Sequence, residues 1–119
     1  MNTNQFKRYI KQFGIQGKFI FQDDKKGIRI INKQMMSVKI KGEKGLLVYK
    51  QGITKAFVSI FNPKHKCIEL RDDEICDLVG GGTIKTDLKD GEYVGQFKDI
   101  NVLPLYVKEG KMRSNWLIR

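Results

Sequence analysis

Over residues 35–61 (MMSVKIKGEKGLLVYKQGITKAFVSIF) apolar and polar side chains alternate, and two glycine-containing turns interrupt the alternation. A period of two places successive side chains on opposite faces of a strand. Met36, Val38 and Ile40 fall on one face of the first segment, and Ser37, Lys39 and Lys41 on the other. Residues 46–49 form the middle strand, between turns at 42–45 and 51–52. In the third segment Thr54, Ala56, Val58 and Ile60 make a smooth apolar side, opposite Lys55, Phe57, Ser59 and Phe61. The stretch therefore predicts three strands, one side of which interleaves lysines with aromatic rings.

The flanking sequence supplies the remaining elements. Phe6, Tyr9, Ile10 and Phe13 recur at helical spacing and predict a helix over residues 2–13, capped by Thr3 or Asn4 and ended by Gly14. Its stripe is read as packing on a sheet, which leaves Lys7, Arg8 and Lys11 on the other faces. Residues 16–22 read as a strand, with Phe19 and Phe21 facing the core, and residues 23–27 as a hairpin turn to a partner strand at 28–31. After a turn around Pro63 come a short strand at 67–70 and a helix over 71–79 with acids in its first turn. Gly80, Gly81 and Gly82 break that helix, and strands are expected at 83–88, 93–98, 102–108 and 112–118. Pro104 lacks an amide hydrogen, so its strand is expected at a sheet edge or beside a bulge. Many short strands with close turns predict a mainly β fold, a small barrel of five to seven strands with an N-terminal helix. At 119 residues the chain is read as a single domain, residues 1–119, with room for one core.

Charge narrows the function classes. Residues 1–67 hold 15 Lys/Arg and 3 Asp/Glu (+12), whereas residues 68–119 hold 8 and 10 (−2). The basic half also carries eight of the twelve aromatic residues, so cations and rings share one region of the chain. Single-strand binders combine lysines that follow the phosphates with rings that stack the bases. No apolar run reaches the length needed to cross a bilayer, and no secretory leader is read, so a cytoplasmic protein with no membrane partner is expected. Cys67 and Cys76 do not form a disulfide framework.

Catalytic constellations are sparse. His65 is the single histidine and stands in a lysine-rich turn, without partners for a triad or a metal site. The glycines at 80–82 lack the Gly-Lys-Ser/Thr that completes a phosphate loop. Glu69, Asp72, Asp73, Glu74 and Asp77 could hold Mg²⁺ in a nuclease, but acids at a helix start have the same composition for electrostatic reasons. The reading is therefore no enzyme, no cofactor and no metal.

Length, strand-rich pattern, a basic aromatic first half and an AT-rich character together give a likeness to a known group. The chain resembles the small single-stranded DNA-binding proteins of phage replication modules, particularly the lactococcal-phage type. That resemblance implies an oligonucleotide/oligosaccharide-binding (OB) barrel acting in replication or recombination, usually as a homo-oligomer of two or more copies, in the cytoplasm of an infected bacterium. Replication or recombination proteins would be its further partners. The ending SNWLIR differs from the acidic tail of cellular single-strand binders, so recruitment through such a tail is not expected; Trp116 is read as a core or subunit contact. The expected contacts to nucleic acid are Lys39, Lys41, Lys50 and Lys55 for phosphates, and Tyr49, Phe57 and Phe61 for bases. The alternative is an interaction protein that inhibits a nucleic-acid enzyme.

Overall fold

Two sheets meet at an aromatic layer supplied by two short helices. The computed structural model describes residues 1–15, 17–31 and 46–114. Helix α1 (Thr3–Tyr9) runs into a 3-10 turn (Ile10–Phe13), followed by strands β1 (Ile20–Asp24), β2 (Gly27–Ile31) and β3 (Leu46–Tyr49). Helix α2 (Lys55–Phe61), strand β4 (Cys67–Glu69) and helix α3 (Asp72–Val79) come next. Strands β5 (Ile84–Lys85), β6 (Gly91–Phe97), β7 (Ile100–Lys108) and β8 (Lys111–Ser114) complete the order. The first sheet has the order β1-β2-β3 and is antiparallel, with Phe21 opposite Ile30 and Ile28 opposite Tyr49. The second, curled like part of a barrel, has the order β4-β6-β7-β8-β5, and only β4 and β6 run parallel. The fold is thus mainly β and barrel-like with an N-terminal helix, as expected, and among the described residues it has eight strands.

Local chemistry explains the helix ends. The Asn2 side chain accepts from the Gln5 N–H (2.8 Å), and the Gln5 side chain accepts from the Asn2 N–H (2.9 Å), a reciprocal cap one residue earlier than expected. Gly14, at φ +74°, ends the 3-10 turn in a left-handed conformation. At α3 the acids do occupy the first turn, and Glu74 accepts from the Arg71 N–H at 2.9 Å.

The expected strand over residues 54–61 is instead helix α2. Thr54 caps it, its Oγ accepting from the Phe57 N–H at 3.2 Å, and Asn62 ends it at φ +47° just before Pro63. Phe57, Val58 and Phe61, at i, i+1 and i+4, are its buried residues, which is a helical stripe. The apparent alternation of these residues was compatible with either period, and burial of the two rings decided for the helix. Pro104 is not at a sheet edge, because β7 is central and pairs with both β6 and β8, but the bulge expected as the alternative is present: the β6–β7 register shifts between Gly95 opposite Leu103 and Gln96 opposite Asn101. The described β8 pairing stops at Leu105 opposite Ser114, and the Ser114 hydroxyl donates to the Pro104 carbonyl (2.7 Å). Of the strand expected at 83–88 only Ile84 and Lys85 form one, and the strand expected around residues 36–41 lies outside the described residues.

Burial is divided between two clusters rather than concentrated in one core. The first gathers Phe6, Ile10, Phe13, Ile28, Val48, Phe57 and Phe61 with Val94 of β6. The second holds Leu70, Leu78, Leu103, Leu105, Val107 and Met112. Strand β6 belongs to both, since Tyr93 packs on the second cluster.

Phe57 is wholly buried and meets the rings of Phe6, Phe13 and Phe61 at centroid distances of 6.1, 5.4 and 5.0 Å. Phe57→Ala is expected to cost about 3–5 kcal/mol, the usual range for removing a buried ring. Chemical denaturation checks this, and a loss near zero would place the ring outside the core.

Candidate nucleic-acid interface

Helix α1 and strand β1 run side by side, joined by the short connection around Gly14–Lys18, and leave a groove between them. The Thr3 N–H donates to the Asp23 carboxylate (3.3 Å) where the helix begins and the strand ends. Phe6 meets Phe21 edge-on at 5.1 Å further along. Beyond that contact lies an open cavity of about 680 Å³, lined by Lys7 of α1, Phe21 of β1, Ile10 and Lys11 of the 3-10 turn, and Ile15, Lys18 and Phe19 of the connection. Its volume lies within the range of pockets that hold small ligands.

The sequence builds this groove from two periodicities. Lys7 and Lys11 are four residues apart in a helical segment, so they project from one side while Phe6, Ile10 and Phe13 turn inward. Phe19, the residue just before strand β1, and Phe21 within it lie two residues apart and both line the cavity. Both rings are half-buried, and each is wedged from beneath by a core ring: Phe19 meets Phe61 at 4.9 Å and Phe21 meets Phe6, both perpendicular. Gly17, at φ +135°, lies against Phe19; a Cβ there would stand 3.1 Å from the ring, so a side chain would push Phe19 from its seat.

The three lysines are exposed, and among the described residues none of them forms an ion pair. Lys66, nearby in sequence space to the turn around Pro63, is engaged differently. Its ammonium donates to the Gln12 side chain (3.1 Å) and sits over the rings of Phe13 (5.4 Å) and Tyr93 (4.7 Å). Burial lowers its pKa, and the charge of Glu92 partly offsets that.

Of the residues expected to contact nucleic acid, Tyr49, Lys50, Lys55, Phe57 and Phe61 are described, and they do not form one exposed face. Phe57 and Phe61 are core residues of α2, 0% and 8% exposed, and have no face free for a base. Tyr49 packs in the same cluster, edge-on to Phe6 (5.6 Å) and Tyr9 (6.0 Å). Lys50 is half-buried in the turn after β3, and Lys55 is exposed at the first position of α2. Lys39 and Lys41 lie outside the described residues, as does Trp116. Phe19 and Phe21, expected to face the core, pack against it as partly buried residues and also line the groove. The signal for the groove was present in the helical spacing of Lys7 and Lys11 and in Lys18 beside Phe19, but nothing local showed that the two segments face each other.

The polar groups elsewhere serve the fold. Glu92 of β6 accepts from the Tyr9 hydroxyl (2.5 Å) and from the Ile53 N–H, and so ties α1 and the segment before α2 to the second sheet. Glu69 accepts from the Lys98 N–H (2.8 Å), and Arg71 pairs with Asp73 (3.2 Å) and Glu74 (3.5 Å). Among the described residues no three His, Cys, Asp or Glu side chains are grouped to hold a metal ion. Cys67 is half-buried, with its thiol pushed up in pKa by burial, and Cys76 is an exposed free thiol. His65 is exposed, as expected, and its ring lies against Gly14. Among the described residues no helix is long and apolar enough to cross a membrane. No family model matches the chain, and no curated protein matches it significantly.

Burial, and then the hydrogen bond and charge of Glu92, raise the Tyr9 phenol far above its ordinary pKa. A phenol raised in the folded state stabilises the fold fully below the unfolded value, about 10, and that contribution is lost as pH climbs above it. Stability is therefore expected to fall from about pH 10 upward. Denaturation curves across that range check this against Tyr9→Phe, in which the decline should be shallower.

Proposed function

We propose that the protein is a non-catalytic, sequence-tolerant binder of single-stranded DNA, serving replication or recombination, and that the strand enters the groove between α1 and β1. The observation that carries this reading is the meeting of three exposed lysines, none in an ion pair among the described residues, with two half-exposed phenylalanine rings around one cavity. Cations hold a phosphate backbone whatever its sequence, and a ring stacks any base at roughly 1–3 kcal/mol each. A duplex hides its base faces, so the two rings favour an unpaired strand. The reading agrees with the OB-type, phage-module resemblance in ligand and fold class, and it moves the contact surface from the 35–61 stretch to the N-terminal segment.

The test is a fluorescence anisotropy titration with oligothymidylate at several salt concentrations. Each phosphate neutralised on a single strand contributes a log–log slope of about −0.7, so three lysines predict a slope of about −2. Replacing Lys7, Lys11 and Lys18 together by alanine should flatten the slope and weaken binding at low salt, while Lys55→Ala should leave both unchanged. Absence of binding to any single strand at low salt would remove the reading. Co-purification with a protein partner would then favour the inhibitory interaction protein.

A further inference from the structure

In the second sheet the strand register sets three lysines side by side. Lys85 of β5 is paired with Lys111 of β8, and Lys111 in turn with Lys108 of β7. Directly paired residues of antiparallel strands share a face, so the three stand in one row, roughly 10 Å from first to last at the usual strand spacing. Two residues along each strand, Arg113 and Tyr106 are paired on the same face. The opposite face belongs to the core, because the adjoining residues Ile84, Met112 and Val107 pack in the second cluster.

Lys85, Lys108, Lys111 and Arg113 are exposed, and among the described residues none of them forms an ion pair. The acids beside them in the fold are placed otherwise. Asp90 accepts from the Glu109 N–H (2.9 Å), and Glu92, opposite Tyr106, accepts from Tyr9 and Ile53. Asp87 and Glu109 are exposed, after β5 and in the β7–β8 turn. Like charges directly opposite one another destabilise a sheet, and an anion lying along the row would relieve that repulsion.

The rest of the face selects the anion. Its one ring, Tyr106, is half-buried, and it carries none of the large apolar side chains that are exposed elsewhere. It therefore lacks the apolar centre of a protein interface and the series of rings that holds unpaired bases. A duplex needs neither, since its bases are stacked inside and it presents one negative charge per ~1.7 Å of axis. We infer that this face of the second sheet docks duplex DNA by its phosphates, through Lys85, Lys108, Lys111 and Arg113 and without regard to sequence. None of these residues lines the α1–β1 groove, so the inference does not rest on the single-strand reading.

Anisotropy titrations of the whole chain with a blunt duplex at several salt concentrations test this. Each phosphate neutralised on B-DNA contributes a log–log slope of about −0.9, so four cations predict about −3.6. Replacing the four together by alanine should remove most of that slope, weaken duplex binding at low salt about tenfold or more, and leave oligothymidylate binding unchanged. Lys108→Arg with Lys111→Arg keeps the charge and should keep the slope. If the alanine variant proves unstable in denaturation, Lys85→Ala alone should make the slope shallower by about one. A duplex that does not bind at low salt, or a slope that these alanine substitutions leave unchanged, would overturn the inference. Equal loss of oligothymidylate and duplex binding would give the face to the single strand and overturn it as well. The Lys7, Lys11 and Lys18 variant reads the groove separately and should retain duplex binding.

Discussion

The edge-on packing of Phe6, Phe13, Phe57 and Phe61 is the constraint on which the rest of the molecule depends. Each ring buries on the order of 150–250 Å², and edge-to-face pairs add about 0.5–1.5 kcal/mol beyond area. Helices of seven residues are not stable alone in water. Both α1 and α2 therefore exist as helices because this layer fixes one side of each. The same layer supports the groove, since Phe6 and Phe61 lie directly beneath Phe21 and Phe19.

Net charge and available charge differ in this chain. The surplus of basic residues belongs to residues 1–67, yet Lys66 is held among rings and near Glu92, and Lys50 is half-buried. Lys7, Lys11 and Lys18 form no ion pair among the described residues and stand around an apolar floor. Exposed cations without an ion-pair partner among the described residues are the kind of charge that gives salt-sensitive attachment to phosphates.

Residues 46–49, the 67–69 strand and the 72–79 helix were legible in the sequence because their local signals agreed: alternation between glycine turns, and acids ahead of an apolar stripe. Residues 54–61 were not, because Thr, Val, Ile and Phe favour strands while the deciding terms, the Thr54 cap and burial of Phe57 against Phe6 and Phe13 of the N-terminal segment, are a single hydrogen bond and a contact between residues far apart in sequence. That one misreading placed Phe57 and Phe61 on an outward face and drew attention away from the cavity beside α1. The role of Glu92 was illegible for a similar reason, since both of its donors, Tyr9 and Ile53, are distant in sequence.

The proposal places the single strand between α1 and β1 and nowhere else on the surface. Backbone amide chemical shifts recorded during titration with an oligothymidylate test that placement most directly. The account predicts the largest changes at Lys7, Lys11, Gly14, Gly17, Lys18, Phe19 and Phe21, with α3 unmoved. Largest changes on α3 or on the β6–β7 hairpin, with the α1–β1 groove silent, would contradict it.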